Sequence, residues 1–149
     1  MYTFLKKYYQ PISLTNEHLE RFEKENGIQL PSLLKEFYLH FNGIPMYQVT
    51  LMMEDRPLRI ERIFPLTGTS MAADHILDIY RMCNFVPETF LPLAFCENGD
   101  DLFVDTVNDG IYLVPLEKPF SRKKICPSLE QFFKLLDHGT RSPGETVFL

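Results

Sequence analysis

The chain has 149 residues, of which 45% are hydrophobic and 23% are charged, and its formal net charge is −5. This composition excludes a disordered protein and suits a single domain over residues 1–149, with a core at about 15–137 and a tail at 139–149. No stretch has the length and hydrophobicity of a membrane-spanning helix, and the N-terminal residues lack the apolar core of a secretory signal. The sequence therefore predicts a cytoplasmic protein with no membrane partner.

Two helices are predicted in the first third of the chain. Thr15 is a candidate N-cap for the first helix, and Gly27 is a candidate for its left-handed end. Pro31 suits the first position of the second helix, because the N–H that proline lacks has no partner there. The second helix presents an apolar face with helical spacing and ends at Asn42-Gly43; the face is formed by Leu34, Phe37, Tyr38 and Phe41.

The rest of the chain contains both strand and helix patterns. Strands are predicted at 47–51, 58–61, 91–95, 102–105 and 111–114, and helices at 73–82 and from Ser128 onward. Pro92 favours the start of its strand or the edge of the sheet, because it has no N–H to donate. Asn108-Asp109-Gly110 predicts a tight hairpin turn. Since helices and strands are grouped rather than strictly alternating, the sequence predicts an α+β domain with a mostly antiparallel sheet and helices packed on one side.

No residue pattern indicates catalysis or a bound cofactor. The histidines are scattered, and the chain has neither a nucleophile elbow nor a glycine-rich phosphate-binding loop. Asp100, Asp101 and Asp105 lack the spacing of an EF-hand, and the three cysteines lack that of a zinc site. The sequence therefore predicts a protein that is not an enzyme, with no catalytic residues, no metal and no cofactor.

The negative charge is concentrated in one segment. Residues 82–117 contain no Lys or Arg and seven acidic residues, which are Glu88, Glu97, Asp100, Asp101, Asp105, Asp109 and Glu117. A field of one sign opposes binding to nucleic acid and speeds association with a basic protein. The alternative interpretation is a solvated acidic rim that keeps the protein soluble.

Two groups of short motifs follow one another at characteristic spacings. The first is the segment 22–31, FEKENGIQLP, followed by Phe37-Tyr38-Leu39 and Asn42-Gly43. The second is Leu91-Pro92-Leu93-Ala94, followed by Gly99-Asp100, Asp105 and Gly110-Ile111-Tyr112. In this order the motifs resemble the SUKH superfamily, which is named for yeast cell-wall synthesis regulators and for bacterial toxin-immunity proteins.

The resemblance implies a non-catalytic domain that binds other proteins. Many members of the superfamily are intracellular immunity proteins, which neutralise a toxin by direct binding, and the acidic segment favours a basic partner such as a nuclease toxin domain. The alternative is a regulatory or scaffold module that binds a cellular protein, as the yeast members imply.

Six residues are predicted to contact the partner: Glu23, Glu97, Asp100, Asp101, Asp105 and Tyr112. Glu23, Asp100 and Asp105 match polar positions of the superfamily, and the two other acids join them because of their charge. Tyr112 is a candidate aromatic anchor. The alternatives are a turn-capping carboxylate at Asp105 and packing of Tyr112 on the sheet.

Overall fold

The computed structural model describes residues 14–42, 44–52, 57–68, 72–96, 98–139 and 146–148. The helices within them are α1 (Asn16–Asn26), α2 (Ser32–His40), α3 (Ala73–Met82) and α4 (Leu129–Gly139). The strands are β1 (Ile44–Met52), β2 (Pro57–Ile63), β3 (Phe90–Cys96), β4 (Asp101–Asp105), β5 (Ile111–Val114), β6 (Lys123–Cys126) and β7 (Thr146–Phe148). The predicted α+β class is confirmed.

The strands form one sheet in the order β6-β5-β4-β3-β2-β1-β7. Neighbouring strands are antiparallel, except that β7 runs parallel to β1. The sequence pattern did not predict β6 or β7. Strand β6 begins with two exposed residues, Lys123 and Lys124, so its sequence does not alternate between apolar and polar residues. Strand β7 lies within the predicted tail.

Pro92 lies near the start of β3, as its third residue, and pairs with Phe103 of β4. Among the described residues, the pairing of β3 with β2 is confined to Ala94, Phe95 and Cys96, so β3 is open on that side at Pro92, as expected for proline. The register between β3 and β4 shifts between Pro92 and Ala94. Proline is tolerated here because no β2 residue pairs with it, so the N–H that it lacks is not needed for that pairing.

The predicted helix ends are determined by local hydrogen bonds. The side chain of Thr15 accepts the N–H of His18 at 3.3 Å, and the N–H of Thr15 donates to His18 Nδ1 at 3.1 Å. Gly27 ends α1 with φ at +65°, and its N–H donates to the carbonyl of Glu23 at 2.9 Å. Helix α2 starts at Ser32, one residue later than predicted, with Pro31 immediately before it.

Alternation along the strands creates two apolar clusters on opposite faces of the sheet. The larger cluster contains residues of all four helices, and within it Phe37 of α2 stacks on Phe133 of α4 at 5.2 Å. Leu102 and Val104 of β4 point into this larger cluster. Phe103, between them, points to the other face and joins a smaller cluster. That second face positions the candidate site.

Candidate functional site

A chain of six aromatic rings runs through the smaller cluster and out to the surface, in the order Phe120, Phe85, Tyr80, Phe103, Phe90 and Tyr112. The centroids of consecutive rings lie between 4.8 and 6.3 Å apart. We call these six residues the aromatic row. They come from α3, from β3 to β5 and from two connections between elements, so the folded sheet brings together rings that are far apart in sequence.

The middle of the aromatic row is buried and its ends are accessible. Phe103 and Phe90 are buried, whereas Tyr112 is half-buried and Phe120 is 67% exposed. Leu116, in the same β5–β6 connection as Phe120, is 59% exposed. The row therefore leaves the ring of Phe120 largely in solvent beside buried rings, and an exposed aromatic ring in such a place can serve as an anchor for a protein partner.

Asp101 fixes the position of Tyr80 in the row. The Tyr80 hydroxyl donates a hydrogen bond of 2.7 Å to Asp101 Oδ2 in a buried environment. Burial raises the pKa of Asp101 to about 6; the hydrogen bond from Tyr80 opposes this shift, and the charge of Asp100 adds to it. Burial and then the charge of Asp101 raise the pKa of Tyr80. The Tyr80 hydroxyl therefore keeps its proton and acts as a donor.

Asp100 fixes the connection that carries Leu116. Its Oδ1 accepts the N–H of Leu116 at 2.9 Å, and its Oδ2 accepts a hydrogen bond from Asn98 Nδ2 at 3.1 Å. The carboxylate thus ties the connection after β5 to the turn before β4. Both bonds join a buried carboxylate to a neutral donor, which compensates part of the cost of burying the charge.

The other predicted contact residues lie in different surroundings. Asp105 Oδ1 accepts the N–H of Val107 at 3.0 Å, so its carboxylate caps the β4–β5 turn, as the alternative interpretation proposed. Glu23 lies on α1, where its Oε2 accepts the N–H of Leu30 at 2.7 Å and lies 3.5 Å from Lys35 Nζ. Glu97 lies outside the described residues.

The structure therefore brings together Asp101, Asp105 and Tyr112 but places Glu23 elsewhere. Asp101, Phe103 and Asp105 alternate along one face of β4, and Tyr112 is the partner of Phe103 in β5. Tyr112 also contacts Phe90 at a centroid distance of 4.8 Å, so packing on the sheet, the alternative interpretation for this ring, is observed.

The expected exposed acidic face is not formed by Asp100 and Asp101, and this part of the prediction was wrong. The two residues are only 6% and 7% exposed, because their carboxylates accept hydrogen bonds inside the fold. In addition, β6 pairs with β5 and places Lys124 beside Tyr112. The guanidinium of Arg122 lies 5.5 Å from the centre of the Phe90 ring. The surface at the aromatic row therefore carries charges of both signs.

Sequence reasoning missed Phe120, Phe85 and Leu116 as surface residues of the candidate site. Phe120 stands alone between Pro119 and Ser121 in a segment without periodicity, and a lone aromatic residue in a polar connection is the signal that could have found it. Its contact with Phe85, at a centroid distance of 5.5 Å, depends on how α3 packs on the sheet and could not have been inferred.

Among the residues that the structure describes, no group of three or more His, Cys, Asp or Glu side chains could hold a metal ion. Within the same residues, no helix has both the length and the apolar character needed to cross a membrane.

The fold and the surface together define an α+β domain that carries a row of aromatic rings, largely buried and exposed at Phe120, on one face of a mostly antiparallel sheet. The chain belongs to the SMI1/KNR4 family (SUKH-1), whose family model matches residues 13–135. The resemblance seen in the sequence motifs is thereby confirmed. No curated protein matches the chain. Membership of this family fits a non-catalytic role in immunity or in regulation.

Proposed function

We propose that the protein is a cytoplasmic immunity protein that neutralises a cognate toxin, a basic domain such as a nuclease, by direct binding. The observation that supports this function is the accessible end of the aromatic row, where Phe120 leaves most of its side chain in solvent; Leu116, in the same connection, is also exposed. Aromatic residues at the centre of an interface supply most of the binding energy in many protein complexes.

The hydrogen bonds beneath the row favour tight binding. Tyr80 is held by Asp101, and the backbone at Leu116 is held by Asp100. A surface that is already ordered loses less conformational entropy when a partner binds. We therefore assign Asp100 and Asp101 to positioning of the surface rather than to direct contact.

We propose direct contacts for Tyr112, at the other end of the row from Phe120, and for Asp105; both residues are partly accessible. Glu97 remains a proposed contact on the ground of its charge alone. The net charge of −5 supports a basic protein partner and disfavours nucleic acid as the ligand.

The test is co-expression of this protein with the product of each open reading frame next to its gene, scored as rescue of growth. We expect one such product to be toxic alone and harmless together with this protein. Phe120→Ala should weaken the rescue. Met82→Ala is the matched control, because Met82 is 82% exposed but lies about 200° around α3 from Tyr80. Equal rescue by both variants would count against the aromatic row as the binding surface.

Family membership also fits a regulatory or scaffold module that binds a cellular protein. The same surface would then contact a housekeeping protein. If no neighbouring frame is toxic and Phe120→Ala abolishes the pull-down of one cellular protein, the regulatory function replaces the immunity function.

A further inference from the structure

Two exposed cations lie beside the end of the aromatic row that is farthest from Phe120. The guanidinium of Arg122 lies 5.5 Å from the centre of the Phe90 ring, and this ring contacts Tyr112 at a centroid distance of 4.8 Å. Lys124 is the partner of Tyr112 in the neighbouring strand, so its side chain lies on the same face of the sheet. We call Arg122 and Lys124 the cation pair.

Both members of the cation pair are placed against aromatic rings. A Cβ on Gly110 would lie 2.9 Å from Lys124 Cε and 3.3 Å from Tyr112 Cε1. The lysine side chain therefore crosses Gly110, where the missing side chain leaves room for it, and lies beside the tyrosine ring. Arg122 lies over its own ring in the geometry of a cation–π contact. Because the two side chains are already placed, a ligand that binds them loses less conformational entropy.

The neighbouring acids leave the cation pair unpaired. Within the described residues, no carboxylate oxygen lies within 4 Å of the charged nitrogens of either cation. On the same face, Asp101 is buried and hydrogen-bonded to Tyr80. Asp105 Oδ1 accepts the N–H of Val107 in its own turn. The acids of the adjoining connections are also outside this distance, and they are Glu88, Asp109 and Glu117.

The geometry of the cation pair fits two carboxylates. A guanidinium that lies on a ring has its N–H edge free to form two parallel hydrogen bonds to one carboxylate. No side-chain N–H of Arg122 makes a hydrogen bond in the part of the chain that the structure describes. Arg122 has extended backbone angles and Lys124 is in β6, so the two residues lie about 6.6 Å apart along the strand. Alternate residues of an extended ligand have the same spacing.

We propose that the cation pair binds an extended acidic segment of the partner protein, in which two Glu or Asp residues are separated by one residue. The proposal rests on the proposed function in that the segment belongs to the same partner. One carboxylate accepts two hydrogen bonds from the Arg122 guanidinium, and the other pairs with the Lys124 ammonium group.

An acidic segment is compatible with a partner that is basic as a whole. The net charge of −5 acts over a long range and speeds the approach of a basic domain. The cation pair acts at contact, where charges of opposite sign have to match group by group. Such a match fixes the orientation of the partner and excludes proteins that lack the two acids.

The test uses three blocked pentapeptides that differ in their pattern of charge. They are acetyl-Ala-Glu-Ala-Glu-Ala-amide, its isomer acetyl-Ala-Glu-Glu-Ala-Ala-amide and acetyl-Ala-Lys-Ala-Lys-Ala-amide. Backbone amide shifts of the protein and the Nε–H signal of Arg122 are followed by NMR during titration at low ionic strength.

We expect saturable shifts at Tyr112, Arg122 and Lys124 with the first peptide. The isomer should bind at least threefold more weakly, because its two carboxylates point to opposite sides of an extended chain. The lysine peptide should cause no saturable shift at these residues. The proposal is overturned by a difference of less than threefold between the acidic peptides, by the lysine peptide binding here, or by no saturable shift at the cation pair.

Two variants with the same change in net charge localise the binding. Arg122→Ala should weaken the first peptide at least fivefold. Arg21→Ala is the matched control, because Arg21 is exposed on α1, which packs in the larger cluster on the opposite face of the sheet. This control should change the affinity less than twofold, and equal losses would overturn the proposal. If Arg122→Ala fails to fold, Lys124→Ala decides, because loss of the second cation should also weaken the peptide at least fivefold.

Failure of this proposal can be distinguished from failure of the proposed function. Growth rescue without binding of the acidic peptide would overturn the role of the cation pair and leave the immunity function intact. Peptide binding without any toxic neighbouring gene product would support the cation pair and contradict the immunity function.

Discussion

The hydroxyl of Tyr80 donates a 2.7 Å hydrogen bond to the buried carboxylate of Asp101 and so joins α3 to the first residue of β4. Asp100, the preceding residue, binds the N–H of Leu116 in the same way. Two consecutive acids that the sequence assigns to contact with the partner therefore hold together the elements that carry the aromatic row. The ionisation of Asp101 has a measurable consequence.

The stability of the protein should depend on the ionisation of Asp101. The pKa of this carboxyl is about 6 in the folded protein against an ordinary 3.8, so the folded state binds the proton more tightly than the unfolded state. The free energy of unfolding should consequently fall by about 3 kcal/mol in all as the pH rises from 3.8 to 6. Above pH 6 this carboxyl should cause no further fall.

Asp101→Asn isolates this effect, because asparagine keeps an acceptor for Tyr80 and carries no charge. Urea unfolding at pH 4, 5, 6 and 7 should show the variant gaining stability relative to the native protein as the pH rises. A constant difference between the two proteins across these pH values would show that Asp101 does not titrate with a raised pKa.

Tyr80→Phe should destabilise the protein at pH 7 by about 1–3 kcal/mol, because it leaves the buried carboxylate of Asp101 without its donor. The hydrogen bond from Tyr80 lowers the pKa of Asp101, so its removal should move this pKa further upward. Urea unfolding measures the first effect, and a carboxyl-carbon NMR titration measures the second. Phe85→Leu, which alters a neighbouring ring of the row without removing a donor, is the control and should leave the pKa of Asp101 almost unchanged.

Asp105 should act as a turn cap in stability measurements. Its Oδ1 accepts the N–H of Val107, and Asp105→Asn preserves that acceptor whereas Asp105→Ala removes it. We expect the alanine variant to lose about 0.5–2 kcal/mol of unfolding free energy and the asparagine variant to lose much less. Equal losses would assign the effect to the charge of the residue rather than to the turn.

The helices could be predicted because their signals are local. Thr15 and Gly27 mark the two ends of α1 through bonds to residues three and four positions away, and the apolar residues Leu34, Phe37 and Tyr38 all lie within α2. Such signals can be recognised in a short segment of sequence. The helices therefore lie within a residue or so of their predicted positions.

The candidate site could be predicted only in part, because it depends on contacts between distant segments. Asp101 lies on the same face of β4 as Phe103, two residues further along the strand. Its contact with Tyr80 of α3 is a result of tertiary packing. Likewise, Lys124 lies next to Tyr112 only because β6 pairs with β5. Charge counting along the chain therefore overestimated the acidic character of the surface.

Calorimetric titration of the purified protein with the toxin domain that co-expression identifies measures directly whether the aromatic row binds the partner. We expect Phe120→Ala to weaken the complex at least tenfold while the unfolding free energy of the variant stays within about 1 kcal/mol of the native value. Met82→Ala should change the affinity less than twofold. An unchanged dissociation constant for Phe120→Ala would contradict the assignment of the aromatic row as the surface that binds the partner.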